Sequence, residues 1–201
     1  MNELREQNNG QIEDWVKKEH KRTFATWLQD QNIPYGESME EQTIKILASG
    51  PSRHITTWKV YDINGFTFCV NSKDQKSLAQ NSGVRCDAID ENDVYTTYYG
   101  FVHEIWELHY GVNVQIPVFR CQWVDHQRGV SVDNYGLRIV DLDKMGYKDD
   151  PWVLANHVAQ VFYAEDISPE SKKARKPKHV AVSGKQQIIG VDGVLDPEDF
   201  N

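Results

Sequence analysis

The sequence predicts an α+β protein, with amino-terminal helices followed by a mainly antiparallel small β-barrel or rolled sheet. Three observations carry this expectation. Apolar residues recur at helical spacing in residues 11–53, runs rich in β-branched and aromatic residues follow at close intervals in 54–191, and alternating β-α-β units are absent, which argues against a Rossmann-type fold. The 201 residues are 39% apolar, 11% aromatic and 26% charged, usage that fits one globular domain with a helical extension and excludes a collagenous or low-complexity chain.

Residues 1–10 show no periodicity and read as a disordered tail. From Gln11 to Gln31, Ile12, Trp15, Val16, Thr23, Phe24, Trp27 and Leu28 fall at helical spacing, so an amphipathic helix is expected that stops before Ile33-Pro34-Tyr35-Gly36. Ser38-x-x-Glu41 has the pattern of a capping box, Met39, Thr43, Ile46 and Leu47 form the expected inner face, and Gly50-Pro51 ends that helix. His54–Tyr61 reads as one strand, and Asn64-Gly65 signals a type I′ turn into Phe66–Val70. Residues 71–93 are polar with little periodicity and read as a long surface loop.

Val94–Tyr110 and Ile116–Val124 read as long strands, with Gly100 expected to mark a bulge. Short meander strands are expected at Val130–Asp133 and Leu137–Leu142, a helical turn starting at Asp150-Pro151, and a strand at Val158–Ala164. His179–Val182 and Gln187–Val191 can pair through Ser183-Gly184, ahead of an acidic tail over residues 192–201.

A net charge of −8 gives no bulk attraction to nucleic-acid backbone. Cys69, Cys86 and Cys121 are odd in number and widely spaced, which predicts free thiols in a reducing compartment. No long apolar run suggests a membrane span, and the amino terminus lacks the apolar core of a signal peptide, so a cytosolic or nuclear location is expected. No Cys-x-x-Cys or His-Glu-x-x-His spacing occurs, and His103 and His109 on one strand lie about 20 Å apart when extended, so no metal is expected. Neither a Gly-x-Ser-x-Gly elbow nor a phosphate loop is present, and Cys121 sits between Phe119 and Trp123 where an apolar setting raises a thiol pKa. Most aspartates stand at turn positions, where backbone geometry alone explains them. No catalytic residue and no cofactor are expected.

Two groups of binding candidates remain. Lys172, Lys173, Arg175, Lys176 and Lys178 form the one dense basic segment, able to meet phosphates, and otherwise a solvated loop. Trp15, Trp27, Tyr98, Tyr99 and Trp106 are aromatic candidates for a partner surface, against a competing reading as core.

The ordered set of short motifs resembles a known family. His20-x-x-x-Phe24-x-x-Trp27, Leu47-Ala48-x-Gly50-Pro51, Tyr61-x-Ile63-Asn64-Gly65-x-x-Phe68, Asn81-Ser82-Gly83-Val84 and Tyr98-Tyr99-Gly100 come first. Glu104-Ile105-x-Glu107-Leu108-x-Tyr110, Phe119-x-Cys121-x-Trp123-Val124-Asp125, Asp150-Pro151-x-x-Leu154-Ala155 and Gln160-Val161-Phe162-Tyr163 follow. Together they resemble the carboxy-terminal accessory region, an uncharacterised domain, of plant CACTA (En/Spm-type) transposon transposases, from about residue 12 to 200 and centred on residues 98–165. His157 and Lys178-His179-Val180 depart from the family's pattern.

The resemblance implies a non-catalytic module in the nucleus that contributes contacts to transposon DNA or to a transposase or chromatin partner protein. The family's catalytic acids lie in an upstream RNase H-like domain that nothing in these residues resembles. Two alternatives stand beside it: a chromatin or peptide reader built on a small barrel, and a self-association segment using the helix over residues 11–31.

Overall fold

The computed structural model of the chain describes residues 13–31, 38–75, 80–89, 94–165 and 179–183. They divide into two units, the described residues up to 55 together with 108–115, and the described residues of 56–107 together with those from 116 on. The expected tail over residues 1–10, the Ile33–Gly36 stop, the basic segment 172–178, the strand at Gln187–Val191 and the acidic tail lie outside the described residues.

In the first unit, helix α1 spans Glu13–Asp30 and α2 spans Met39–Ala48. Val16 of α1 is fully buried, but Phe24 and Trp27, expected to face inward, are 43% and 46% exposed, because the described residues leave that end of the helix uncovered. The capping box forms as expected. The Glu41 N–H donates to Ser38 Oγ at 3.1 Å while the Ser38 N–H donates to Glu41 Oε2 at 3.2 Å, satisfying two orphan donors at the helix start. The buried end of α2 is Ala48. Met39 and Thr43, assigned to its inner face by periodicity, are exposed, and Thr43 turns its hydroxyl back to the Met39 carbonyl at 2.8 Å. Gly50 takes φ +75°, ending the helix in the left-handed region.

The second unit holds most of the strands: β1 (Ile55–Trp58), β2 (Val60–Ile63), β3 (Phe66–Cys69), β4 (Gly83–Ile89), β5 (Tyr95–Tyr110) and β6 (Val114–Val124). They continue with β7 (Val130–Val132), β8 (Arg138–Val140), β9 (Met145–Gly146), β10 (Trp152–Leu154), β11 (Ala159–Glu165) and β12 (His179–Ser183). The facing ends of β5 and β6, residues 108–115, belong to the first unit, where the Ser52 N–H donates to the His109 carbonyl at 2.7 Å. Short helices α3 (Asn71–Asp74) and α4 (His126–Gly129) and a 3₁₀ turn at Ala155–His157 sit between strands.

One sheet runs β10-β6-β5-β4-β11-β12-β8-β7, with β1 also on β5 and β9 also on β6, while β2 and β3 form a separate hairpin. The ladders of β4 with β5, β10 with β6, β11 with β12 and β7 with β8 are antiparallel. The fold is therefore α+β, as the periodicities require. Its end strands β10 and β7 do not pair with each other among the described residues, so the sheet is rolled and open rather than a closed barrel.

Asn64 and Gly65 have φ of 52° and 79°, both positive as a type I′ turn demands, and the hairpin closes at Ile63↔Phe66. The strand expected to run unbroken from His54 to Tyr61 divides at Lys59, since β1 joins β5 whereas β2 joins β3, and the Lys59 carbonyl accepts instead from the Val70 N–H at 3.1 Å.

The expected loop over residues 71–93 contains α3 and β4. Strand β4 pairs with β5 from Gly83↔Phe101 to Ile89↔Tyr95, yet it carries Arg85 and the buried Asp87 on one face, which erases the apolar alternation a sequence reading needs. The expected helical turn at Asp150-Pro151 is absent. The Pro151 carbonyl accepts from the Cys121 N–H at 2.7 Å, and the chain runs straight into β10.

Gly100 does not mark a bulge. It pairs in sequence with Val84, and the reason for glycine is close approach: a Cβ there would stand 2.4 Å from the Gln122 carbonyl oxygen and 2.9 Å from the Trp123 ring. The change of parity on β5 comes later. Val102 and Ile105, three residues apart, both enter the same core cluster with Phe68, Phe119 and Trp123. A second cluster on the other face gathers Tyr99, Val124, Val140, Val161 and Tyr163.

Replacing Gly100 by Ala forces a methyl group against a backbone oxygen that cannot rotate away. A loss of about 3 kcal/mol is expected from urea midpoints, against less than about 0.5 kcal/mol for an exposed substitution such as Val112→Ala.

Candidate functional site

The parity change on β5 sends Glu104 and Trp106 to the side opposite Ile105 and Glu107. There Glu104 is the center of a polar frame. Its Oε2 accepts from the Trp106 indole N–H at 2.9 Å and its Oε1 from the Arg120 guanidinium at 2.6 Å. Arg120 on β6 stands opposite Trp152 on β10, and the Trp152 ring lies against that of Trp106, centroids 4.5 Å apart at 58°. On β10 the two-residue period leaves Trp152 and Leu154 40% and 38% exposed, while Val153 packs on the core.

The result is a rigid aromatic platform on an exposed sheet face. The indole of Trp106 is held at its nitrogen, the carboxylate beside it is neutralised by Arg120, and the rings present apolar surface to solvent. Because the rings touch each other, no space for a cation lies between them, so the pair is a flat docking surface and not a cage.

Trp106 thus takes part in a surface, but it does not meet the other sequence candidates. Tyr98 and Tyr99 are consecutive on β5 and face opposite ways: Tyr98 packs edge-on to His126 and Tyr147, and Tyr99 is 4% exposed in the second core cluster. On α1, Trp15 and Trp27 lie about 120° apart around the helix axis. Trp27 stacks on Phe24, which in turn meets His20, while Trp15 is 37% exposed. Lys172, Lys173, Arg175, Lys176 and Lys178 lie outside the described residues. Trp152 was missed by sequence reading, although the alternation Trp152-Val153-Leu154 after Pro151 was available as a strand signal.

The acidic residues at turns serve the backbone. Asp125 caps α4 by accepting from the Gln127 and Arg128 N–H groups, both at 3.1 Å, and the Arg128 guanidinium holds its carboxyl below the ordinary carboxylate range. Asp133 accepts from the Tyr135 and Leu137 N–H groups, both at 2.8 Å. Asp74 accepts from the Asn81 and Ser82 N–H groups and, at 2.8 Å, from the Cys69 thiol. Among the described residues no group of His, Cys, Asp and Glu is placed to hold a metal ion.

All three thiols are free and held protonated. Burial, reinforced by the Asp74 carboxylate, pushes Cys69 up to about 12; burial and then Asp87 push Cys86 to about 11; burial alone accounts for most of the rise at Cys121.

Cavities on the second unit include two lined by described residues. One, of about 350 Å³, is lined by side chains that include Asn71, Gln80, Phe101, Tyr163 and His179. The other, of about 270 Å³, lies over Tyr95, Thr97 and Tyr99 of β5 and is also lined by His126, Ser131 and Arg138.

Residues 106–174 match a family described as a domain of unknown function (DUF4216). The match covers roughly a third of the chain, begins at Trp106 and includes Arg120 and Trp152. No curated protein and no solved structure matches the chain. No helix among the described residues is long and apolar enough to cross a membrane.

Thiol reagents at pH 8 should label the native chain far more slowly than the urea-unfolded chain, where all three cysteines react. Stability should also fall as pH rises above the ordinary thiol value of 9.0, since the unfolded chain then releases protons that folded Cys69 and Cys86 retain to about 12 and 11. Urea midpoints at pH 7 and pH 9.5 read the sign directly.

Proposed function

We infer that the chain is a non-catalytic binding module, the accessory part of a plant CACTA-type DNA transposase, and that it holds a protein partner in the nucleus on the Trp106–Trp152 face. The single observation that carries this is the contact of the exposed Trp152 ring with the half-buried Trp106 ring, beside the Glu104–Arg120 bridge. Tryptophan and arginine are the residues most enriched at the centers of protein interfaces, and a preset ring pair loses little side-chain freedom on docking.

Support for the family half comes from overlap. The DUF4216 match over residues 106–174 falls largely on the stretch 98–165 where the resemblance to those transposases is densest. Support for the non-catalytic half comes from the described residues, whose thiols are held protonated and whose turn carboxylates accept backbone N–H groups. A protein partner is favoured over DNA at this face because the chain carries −8 overall and Arg120 is matched by Glu104.

The test is capture from plant nuclear extract with the wild-type chain and with Trp152→Ala, quantified by mass spectrometry. A transposase or chromatin protein retained by the wild type should drop at least about tenfold with the variant, while the melting temperature moves by only a few degrees. Equal retention by both chains overturns the assignment of this face. Cleavage of transposon-end DNA by the purified chain with Mg²⁺ or Mn²⁺, abolished by an Asp→Asn substitution, overturns the non-catalytic reading.

A further inference from the structure

Two side chains that line the smaller cavity, Tyr99 and Arg138, have no hydrogen bond or ion pair among the described residues. Tyr99 is 4% exposed, yet its hydroxyl makes no hydrogen bond within the described residues, and it lines the cavity. A tyrosine hydroxyl can both donate and accept, so it is able to meet a ligand that enters the cavity. Arg138, exposed at the start of β8, lines the same cavity and has no carboxylate partner among the described residues, in a chain with an excess of acids.

Two donors lining one space, neither bonded to a partner among the described residues, point to an acceptor as the occupant. The nearest carboxylate does not fill that role. Asp87 is 5% exposed, is bridged to Arg85 at 3.3 Å, and is not part of the cavity lining. The register pairs Arg85 with Tyr99, and burial, outweighing the opposing positive charge of Arg85 and Arg138, raises the pKa of the Tyr99 hydroxyl and keeps it a donor.

We propose that this cavity is an anion site for a phosphate monoester, with Arg138 and the Tyr99 hydroxyl as its principal donors. A volume of about 270 Å³ lies below the range typical of drug-sized ligands, which suits a compact phosphate with a small carbon group and excludes a whole dinucleotide. Phosphate is favoured over carboxylate by the donor count. The guanidinium fork, the Tyr99 hydroxyl and the hydroxyls of Thr97 and Ser131 call for more acceptor oxygens than a carboxylate has, and a monoester offers three terminal ones. The rings of Tyr95 and Tyr99 supply an apolar wall for the attached carbon group.

The probe is phenyl phosphate, titrated into the full chain by calorimetry, with benzoate as the carboxylate control. Saturable binding is expected with a dissociation constant of about 1 mM or tighter, and benzoate should bind at least about tenfold more weakly. Arg138→Gln should weaken phenyl phosphate at least about tenfold. Tyr99→Phe, which keeps the ring in the core, should weaken it about fivefold, with both variants melting close to the wild type. A phosphotyrosyl peptide binding much more tightly than phenyl phosphate identifies a phosphorylated protein as the source, and equal affinity identifies a small monoester. Absence of saturation, equal binding of benzoate, or affinity unchanged in both variants overturns the site. Trp152→Ala should leave phenyl phosphate binding intact, which separates this result from the fate of the tryptophan face.

Discussion

The sheet is organised by the absence of a side chain at Gly100. Its backbone pairs with Val84 of β4 on one side, the Gln122 carbonyl and the Trp123 ring occupy the space a Cβ would need, and its own carbonyl accepts from the buried Tyr163 hydroxyl at 3.0 Å. Strands β4, β6 and β11 therefore all meet β5 at one residue. Gly83 repeats the device, since a Cβ there would stand 2.3 Å from the Val161 carbonyl oxygen. Close packing of backbone on backbone lets a sheet roll tightly without a closed barrel, and it leaves two faces with different contents.

Those faces divide the chemistry. Before the parity change on β5, odd-numbered residues such as Tyr99 and Phe101 look toward the cluster around Val140 and Val161; beyond it, Ile105 joins the cluster around Phe68 and Phe119. A single residue out of step reassigns every later side chain, and that is what brings Glu104 and Trp106 out beside Arg120 and Trp152. The aromatic platform and the small cavity thus follow from one strand read in two registers of facing.

Local chemistry was legible in the sequence, and pairing over distance was not. The Ser38–Glu41 box and the Asn64-Gly65 turn depend on residues within three positions of each other, and both form as read. The long strands β5 and β6 were also legible, because their runs of β-branched and aromatic residues exceed what a loop would carry. Strand β4 was not, since its inward position 87 is an aspartate, buried beside Arg85 at 3.3 Å, where an apolar residue would have marked the strand. The Trp106–Trp152 contact joins residues separated by most of the β5–β6 hairpin and three further strands, so no window of sequence contains it. Tyr99 was singled out as a binding residue, but its placement in the second core cluster with the hydroxyl open to a cavity depends on β7 and β8 closing over it.

Asp74 has a further consequence. By accepting both the Asn81 and Ser82 N–H groups, it fastens the end of α3 to the entry of β4, so the alignment of that strand is secured by a clamp at its base. The stretch of chain between Asp74 and Asn81 is closed at both ends by this one carboxylate, and Gln80 ties β11 as well by accepting from the Tyr163 N–H at 3.2 Å. Lengthening such a stretch adds only a logarithmic entropy cost, about 0.6 kcal/mol per doubling. Closure of the chain onto one carboxylate therefore fixes the start of β4 at an entropy cost that depends only weakly on the length of chain it spans.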